Sequence, residues 1–375
     1  MRKFDSMLIS EDVIDLGEEY LMVYALGEKI YHIDKTKKEI IHSLSYKNGD
    51  KCDCFPLLLK GALCNGRVYY APHFSGQIAV YDIVKKNMEF IDILIDEKIK
   101  GGRYSYMYSH DDFLLFLGDH QSQIIKLDSR TNRIDYISDW SDGVEKYRRK
   151  DNPWGYFSEG AVMHDDKVLF PLGCIGGMLE VDIFTKSTRL IREDFMEGMN
   201  GIGGCIRIGD EIWMTSKGSK NQKIIVWDLN SKCHEEIILD DPLSGMGSYY
   251  APIFARDELY LIPETMDHTY KVSLRDRTAR IDDYLDSQIN PYGKSHFFGA
   301  CVVGLRLIDD RICFFSTVDY SWNEYEIETG INKKTWIDIG EVGRIGYNKM
   351  FRNHLMDNGL LYEGSFELMD LITTI

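Results

Sequence analysis

Nowhere in this 375-residue chain do apolar side chains run on for the roughly 18 positions that a membrane-crossing helix requires. The apolar piece near the start, Met7-Leu8-Ile9, is too short for the core of a secretion signal, and Glu11 and Asp12 follow it at once. Proline is scarce, at 8 residues, which argues against a rigid linker or a low-complexity tail. Positive charge is also short: 44 Lys and Arg stand against 60 Asp and Glu, leaving a net charge of −16. Such a surface repels phosphate backbones and anionic lipid, so neither nucleic acid nor membrane is expected as a partner. The 8 cysteines are scattered. Cys52-Asp53-Cys54 has no second pair at zinc-site spacing, and Cys174, Cys205, Cys301 and Cys313 fall inside apparent strands, as reduced core thiols do. Together these absences predict a cytoplasmic protein.

Catalytic signatures are missing too. There is no Gly-x-Ser-x-Gly elbow and no Gly-Lys-Ser/Thr phosphate loop. The glycine-rich stretch 198–204 leads into a strand pattern, so it offers no helix N-terminus to a phosphate. It reads instead as a loop through which backbone can approach a neighbour closely. No cofactor is expected.

What the chain does contain is a repeat. Hydrophobic residues make up 44% of it and aromatic ones 12%, with 23 Tyr, a composition that suits strands. A turn followed by a short apolar strand recurs as LGEEYLMVYAL near Gly17, CNGRVYYAP from Cys64, HDDFLLFLG from His110 and HDDKVLFPLG from His164. It returns as IGDEIWMTS from Ile208, ARDELYLIP from Ala255, IDDRICFFS from Ile308 and MDNGLLYEG from Met356. Asp, Asn and Gly at the turn tolerate the positive φ of tight hairpins. A second phrase follows each hairpin, a strand ending at Asp34, Asp82, Asp128, Asp182, Asp228, Ser273, Glu328 or Asp370. These anchors recur roughly every 48 residues, and a short polar turn then leads to an outer strand.

Period two within strands and a period near the mid-forties between copies predict an all-β fold, a closed β-propeller of four-stranded antiparallel blades. Eight hairpins and eight acid-ended strands can be matched with seven outer strands. The missing strand would come from residues 2–8, closing the last blade and hiding its edge. Eight blades are therefore favoured, with seven as the alternative because the first hairpin phrase is the least regular. The whole chain, residues 1–375, reads as one domain.

These phrases resemble the β-propeller superfamily that includes WD40, kelch, quinoprotein and YncE-like repeats. Trp227-Asp228 is similar to a WD dipeptide, and Thr329-Gly330 before Trp336 to part of the quinoprotein docking motif. The Gly101-Gly102, Gly176-Gly177 and Gly203-Gly204 doublets fall at different blade positions, unlike those of kelch repeats. RVYYAPHFSGQIAVYD, residues 67–82, is closest in style to the YncE-like repeats. The resemblance implies that innermost strands line a central channel. It also implies that the loops between blades share one face with the loops joining second and third strands, and that this face holds the ligand site.

On that face the first loop set carries Arg103, Tyr104, Tyr106, Tyr108, Trp154, Tyr156, Glu159, Tyr249, Tyr250, Lys294, His296, Phe297 and Tyr347. The second carries His73, Asp119, His120, Lys217, Lys220, Glu264, Asp267, His268, Asp319, Tyr320 and Trp322. Rings beside charged groups suit a polar ligand with flat apolar surfaces, such as a sugar or a peptide side chain. The expected ligand-binding residues are Arg103, Tyr104, Tyr106, Trp154, Tyr249, His73, His120 and Trp322. The function expected from them is a binding scaffold for a protein, peptide or glycan. The alternative is a lyase or hydrolase acting on a sugar or cyclic peptide, with or without the help of a metal, with Glu159 or Glu264 and His268 or His296 in acid–base roles. Equivalent loops bring similar residues together by themselves, so His73, His120, His268 and His296 are assigned no metal site.

Overall fold

The structure is a computed structural model, and it describes residues 7–25, 29–46, 58–73, 75–95, 103–150, 152, 154–218, 222–239, 247–264, 268–289, 302–317 and 319–339. Among these residues the strands form seven four-stranded sheets, each pairing consecutive strands antiparallel. Seven strands lie innermost: Ser10–Asp15, Leu58–Cys64, Tyr104–His110, Val162–His164, Gly201–Ile208, Ile253–Ala255 and Val302–Ile308. Residues from five of them, with the connection leading into a sixth, line one central channel, so the sheets are the blades of a propeller.

Local chemistry explains the blades. At the first hairpin turn Asn65 and Gly66 have φ of 50° and 72°, and Asp309 and Asp310 have 49° and 56°, the mirror-image turn that matches strand twist. The acid at the end of the third strand works on the next turn. Asp34, Asp82, Asp128, Asp182 and Asp228 each accept the backbone N–H groups two and three residues on. Those bonds hold their carboxyls below the ordinary carboxylate range at Asp34, Asp82, Asp182 and Asp228. In each of these turns the residue four positions past the acid takes positive φ, from 52° at Lys86 to 64° at Lys186.

The second and third strands are sandwiched between neighbouring blades, which is why they read as runs of Leu, Ile, Val, Tyr and Trp. Apolar clusters fill the junctions between blades in succession. A further cluster joins the seventh blade to the first, packing Tyr20, Met22 and Tyr31 against Cys313, Phe315 and Trp322.

The blade count differs from the expected one. The described blades number seven, not the favoured eight, and residues of the first and seventh sheets share one apolar cluster. The eighth hairpin phrase from Met356 and the strand ending at Asp370 lie outside the described residues. So does most of the segment proposed to close the ring. Its described end meets the seventh blade: the Leu8 N–H donates to the Ile337 carbonyl at 2.8 Å, and Met7 pairs with Asp338. No helix among the described residues is long and apolar enough to cross a membrane.

Candidate functional site

The central channel holds a cavity of about 620 Å³, within the range of small-ligand sites. Alternation along the innermost strands decides what it presents. Below its mouth Val13, Ala62, Tyr108, Ala161, Ile253 and Leu305 make an apolar wall. Nearer the mouth the channel is charged.

Two carboxylates there are already matched. Asp12 is fully buried; Arg306 approaches its Oδ1 at 2.5 Å and the Gly61 N–H donates to its Oδ2 at 2.6 Å. Glu159 receives Lys60 Nζ at 2.9 Å and the Ala251 N–H at 3.1 Å. Lys60 comes from the second blade, Glu159 from the connection before the fourth and Ala251 from the connection before the sixth, so these bonds span the channel. Backbone places Glu159. It forms a parallel bridge with Gly204, and a Cβ on the next residue, Gly160 (φ +97°), would stand 2.2 Å from the Cys205 carbonyl oxygen. The glycine-rich stretch thus lets backbone segments approach closely, as expected, but residues 201–204 belong to the innermost strand Gly201–Ile208 and not to a loop.

The remaining groups shift one another. Burial pushes Glu11 up to about 7, with Asp12 and Glu264 adding to the effect and Lys60 opposing it. Burial also raises Glu159, but the Lys60 and Arg306 cations and the Ala251 N–H outweigh it and bring the carboxyl below its ordinary value. Tyr106 and Tyr250 are raised well above the phenol range, first by burial and then by the Glu264 carboxylate. Tyr250 donates to the Val302 carbonyl at 2.7 Å, and Ser248 donates to Glu264.

At the rim, Ser105 lies 3.1 Å from His73 Nδ1 and also hydrogen-bonds Asp119. Burial lowers His73 to about 4, with His120 beside it. Asp119 is raised, chiefly by burial, against the pull of His120 and Lys217. Lys217 sits 4.3 Å over the Trp154 ring, and the Arg103 carbonyl accepts the Asp119 N–H at 2.8 Å.

The residues expected from sequence therefore divide. Tyr106 and Glu159 line the channel cavity; His73, His120, Arg103 and Trp154 gather around Ser105, Asp119 and Lys217, and Glu264 accepts the Ser248 hydroxyl. Tyr104, Tyr249 and Trp322 are each 0% exposed and pack between blades; Trp322 meets Phe315 at a tilt of 57° with ring centroids 4.9 Å apart. His268 lies apart, 3.2 Å from Asp286 on the short helix Asp283–Ile289. His296, Lys220, Asp267, Lys294, Phe297 and Tyr347 lie outside the described residues. Sequence reading missed Glu11, Asp12, Lys60 and Arg306. For Lys60 and Arg306 the signal was present, a single charge inside the otherwise apolar strands LLKGALC and VVGLRLI; Glu11 and Asp12 lie in the polar strand SEDVID, which carries no such contrast. Among the described residues no group of three or more His, Cys, Asp or Glu is arranged to hold a metal ion.

Comparison with known proteins gives the fold and nothing narrower. No family model matches the chain, and no curated protein matches it. Among solved structures it is similar to the extracellular domain of a one-component system protein of B. thetaiotaomicron, with a TM-score of 0.55 and 12% identity over 83% of this chain. The match spans only 39% of that protein's chain. It is similar also to the dihydro-heme d1 dehydrogenase NirN in complex with DHE, at a TM-score of 0.52 and 10% identity, covering 92% of this chain and 68% of that one. Hsv2p of Kluyveromyces lactis aligns at a TM-score of 0.50 and 9% identity over 89% of this chain and 99% of its own. On the sheets, their shared channel and these likenesses, the chain belongs to the β-propeller class.

Proposed function

We propose that this protein is a binding scaffold whose ligand, a short peptide or a glycan, enters the mouth of the central channel. One observation carries the reading: a cavity of about 620 Å³ to which several blades bring charged side chains, Asp15, Lys60, Glu159 and Arg306, beside an apolar wall. A flat protein partner would leave that concavity unfilled, whereas a sugar ring or a peptide side chain can occupy it. In this reading the blades close on one another through the apolar junction of the seventh with the first, where Met7 and Leu8 pair with the end of the seventh blade. The protein works in the cytoplasm, as the unpaired Cys64, Cys174, Cys205, Cys233 and Cys313 suggest.

The test is to plug the channel. Ala62→Phe combined with Ala161→Phe fills the apolar wall, and the variant and native proteins are compared on glycan and peptide arrays. Ligands captured by the native protein are expected to be lost from the plugged one. Capture that survives plugging would move the site off the channel.

A second reading, a hydrolase, is favoured by the opposite shifts of Glu11 and Glu159 in one channel, the pattern of a proton donor beside a held anion. Incubating each captured glycan with native protein and with Glu11→Gln separates the readings. Reducing ends released by the native protein alone would establish hydrolysis, and their absence supports binding.

A further inference from the structure

The cavity does not reach both ends of the channel equally. Each innermost strand runs from the connection between blades to a hairpin turn, so position along the strand gives depth in the channel. In Ser10–Asp15, Leu58–Cys64, Tyr104–His110 and Val302–Ile308 the lining starts at the third or fourth residue and continues to the last or the one before it. The cavity therefore occupies the hairpin half of the channel. Its inner end is crossed by the Lys60–Glu159 pair and by the bond from the Ala251 N–H to Glu159, which reach from the second blade to the connections before the fourth and sixth.

Exposure shows which end is open. The Lys60 and Glu159 side chains are 13% and 20% exposed. Leu63 and Leu307, each the last residue but one of its strand, line the same cavity and are 48% and 42% exposed. Ser109 holds the equivalent place in the third blade and is exposed as well. Three blades thus present matching positions at one opening, and two of them leave a large apolar side chain in water.

The lining also decides what can enter. Each charged side chain on it is already matched: Asp15 by Lys35 at 2.7 Å, Lys60 by Glu159 at 2.9 Å and Arg306 by Asp12 at 2.5 Å. A charged group would leave water here without gaining a counter-ion. A sugar would carry its hydroxyls past Leu63, Leu307, Val13, Ile253 and Leu305, whose side chains offer no hydrogen bond. An uncharged apolar group gains burial at each of those contacts.

We infer that the cavity is entered from the hairpin end and receives an uncharged apolar side chain of a peptide, aromatic or branched aliphatic. The inference rests on the binding reading above, narrows its ligand to a peptide and puts the entrance on the face opposite the loops between blades. Leu63 and Leu307 meet the side chain at the entrance, and the Lys60–Glu159 pair stops it at the inner end.

The experiment is a ligand-observed NMR titration of the full chain at pH 7. The probes are N-acetyl-tryptophan amide and N-acetyl-leucine amide, set against N-acetyl-lysine amide, N-acetyl-glutamate amide and methyl glucoside. At least one apolar probe is expected to bind at millimolar concentration, and the charged probes and the sugar about tenfold more weakly or not at all. Leu63→Glu combined with Leu307→Glu sets two carboxylates at the entrance, on positions already exposed, and should weaken the apolar probe about tenfold. Leu63→Gln combined with Leu307→Gln removes the apolar entrance without adding charge and should weaken the probe as well. Unchanged affinity in both variants, with loss from the plugged Ala62→Phe, Ala161→Phe protein, would overturn the hairpin entrance and leave the channel reading intact. A charged probe or the sugar bound as tightly as the apolar probes would overturn the ligand class. Failure of both apolar probes to bind at millimolar concentration would overturn the inference, while array ligands lost on plugging would still uphold the channel.

Discussion

Glu11 and His73 sit at opposite ends of one electrostatic argument. Glu11 titrates near 7 in the folded chain against an ordinary 4.5, so the folded state binds its proton more tightly than the unfolded state does. The stability this provides is fully present below pH 4.5 and is lost as pH rises through about 7. His73 shifts the other way, from 6.5 to about 4, so its contribution grows as pH rises from 4 to 6.5 and is lost on acidification. The two oppose each other in the acid range, and above pH 6.5 Glu11 acts alone. Thermal unfolding of native protein is therefore expected to weaken between pH 6.5 and 8, and Glu11→Gln to remove that slope, gaining roughly 1–3 kcal/mol at pH 8. Parallel slopes for the two proteins would show that the Glu11 carboxyl is not perturbed. Neither residue announces this behaviour in the sequence. A glutamate after Ser10 near the start of a chain reads as a surface charge until the innermost strand turns it inward, and the desolvation that shifts it depends on residues hundreds of positions away.

At the scale of elements, the strands and turns were legible and the side-chain roles only half so. The recurring acid was read as a marker of strand ends; its work is to bond two turn N–H groups, which is why Ser273 can stand in for Asp in the sixth blade, accepting the Asp276 N–H. The aromatic residues were harder. Tyr104, Tyr249 and Trp322 look like rim residues by position, but a residue at the start of a strand, or in the connection leading to one as Tyr249 is, can still point between sheets, and there the apolar area of a ring outweighs its use at a surface. The junction of the first and seventh blades is another case that pattern alone could not reveal. Lys38 Nζ meets Glu324 Oε1 at 2.6 Å, with side-chain exposures of 4% and 7%, and lies 4.6 Å over the Tyr20 ring. Beside it Lys35 bridges Asp15 of the first blade and Asp309 of the seventh at 2.7 and 2.8 Å. Breaking a buried pair leaves a desolvated charge without its counter-ion. Glu324→Gln is therefore expected to cost roughly 3–5 kcal/mol in denaturant unfolding, and Lys38→Met added to it to recover part of that loss. A Glu324→Gln protein as stable as the native one would mean that water reaches this junction and screens the pair.

For the whole molecule the question is how many blades make the ring. Counting phrases along the chain overshoots, because sequence repeats say which segments can form a blade but not which sheet faces are still bare. A propeller is complete when its last sheet covers its first, since each blade alone leaves apolar surface in water. The seventh sheet already reaches the first: Leu8, Tyr20, Met22, Phe315, Trp322 and Ile337 share one apolar cluster, each less than 4% exposed. The clusters at the other junctions are built in the same way, so the seventh-to-first junction carries its share of the same burial. If seven blades are the whole ring, a chain ending at Ile339 retains every one of these junctions. Such a chain is expected to stay monodisperse, to unfold in a single cooperative transition with its midpoint within about 5 °C of the native value, and to keep the channel and its charges. An eighth blade inserted between the first and seventh would instead make the shortened chain lose a sheet, expose both bare faces and aggregate. Size-exclusion chromatography and calorimetry of that one shortened protein decide between the two rings.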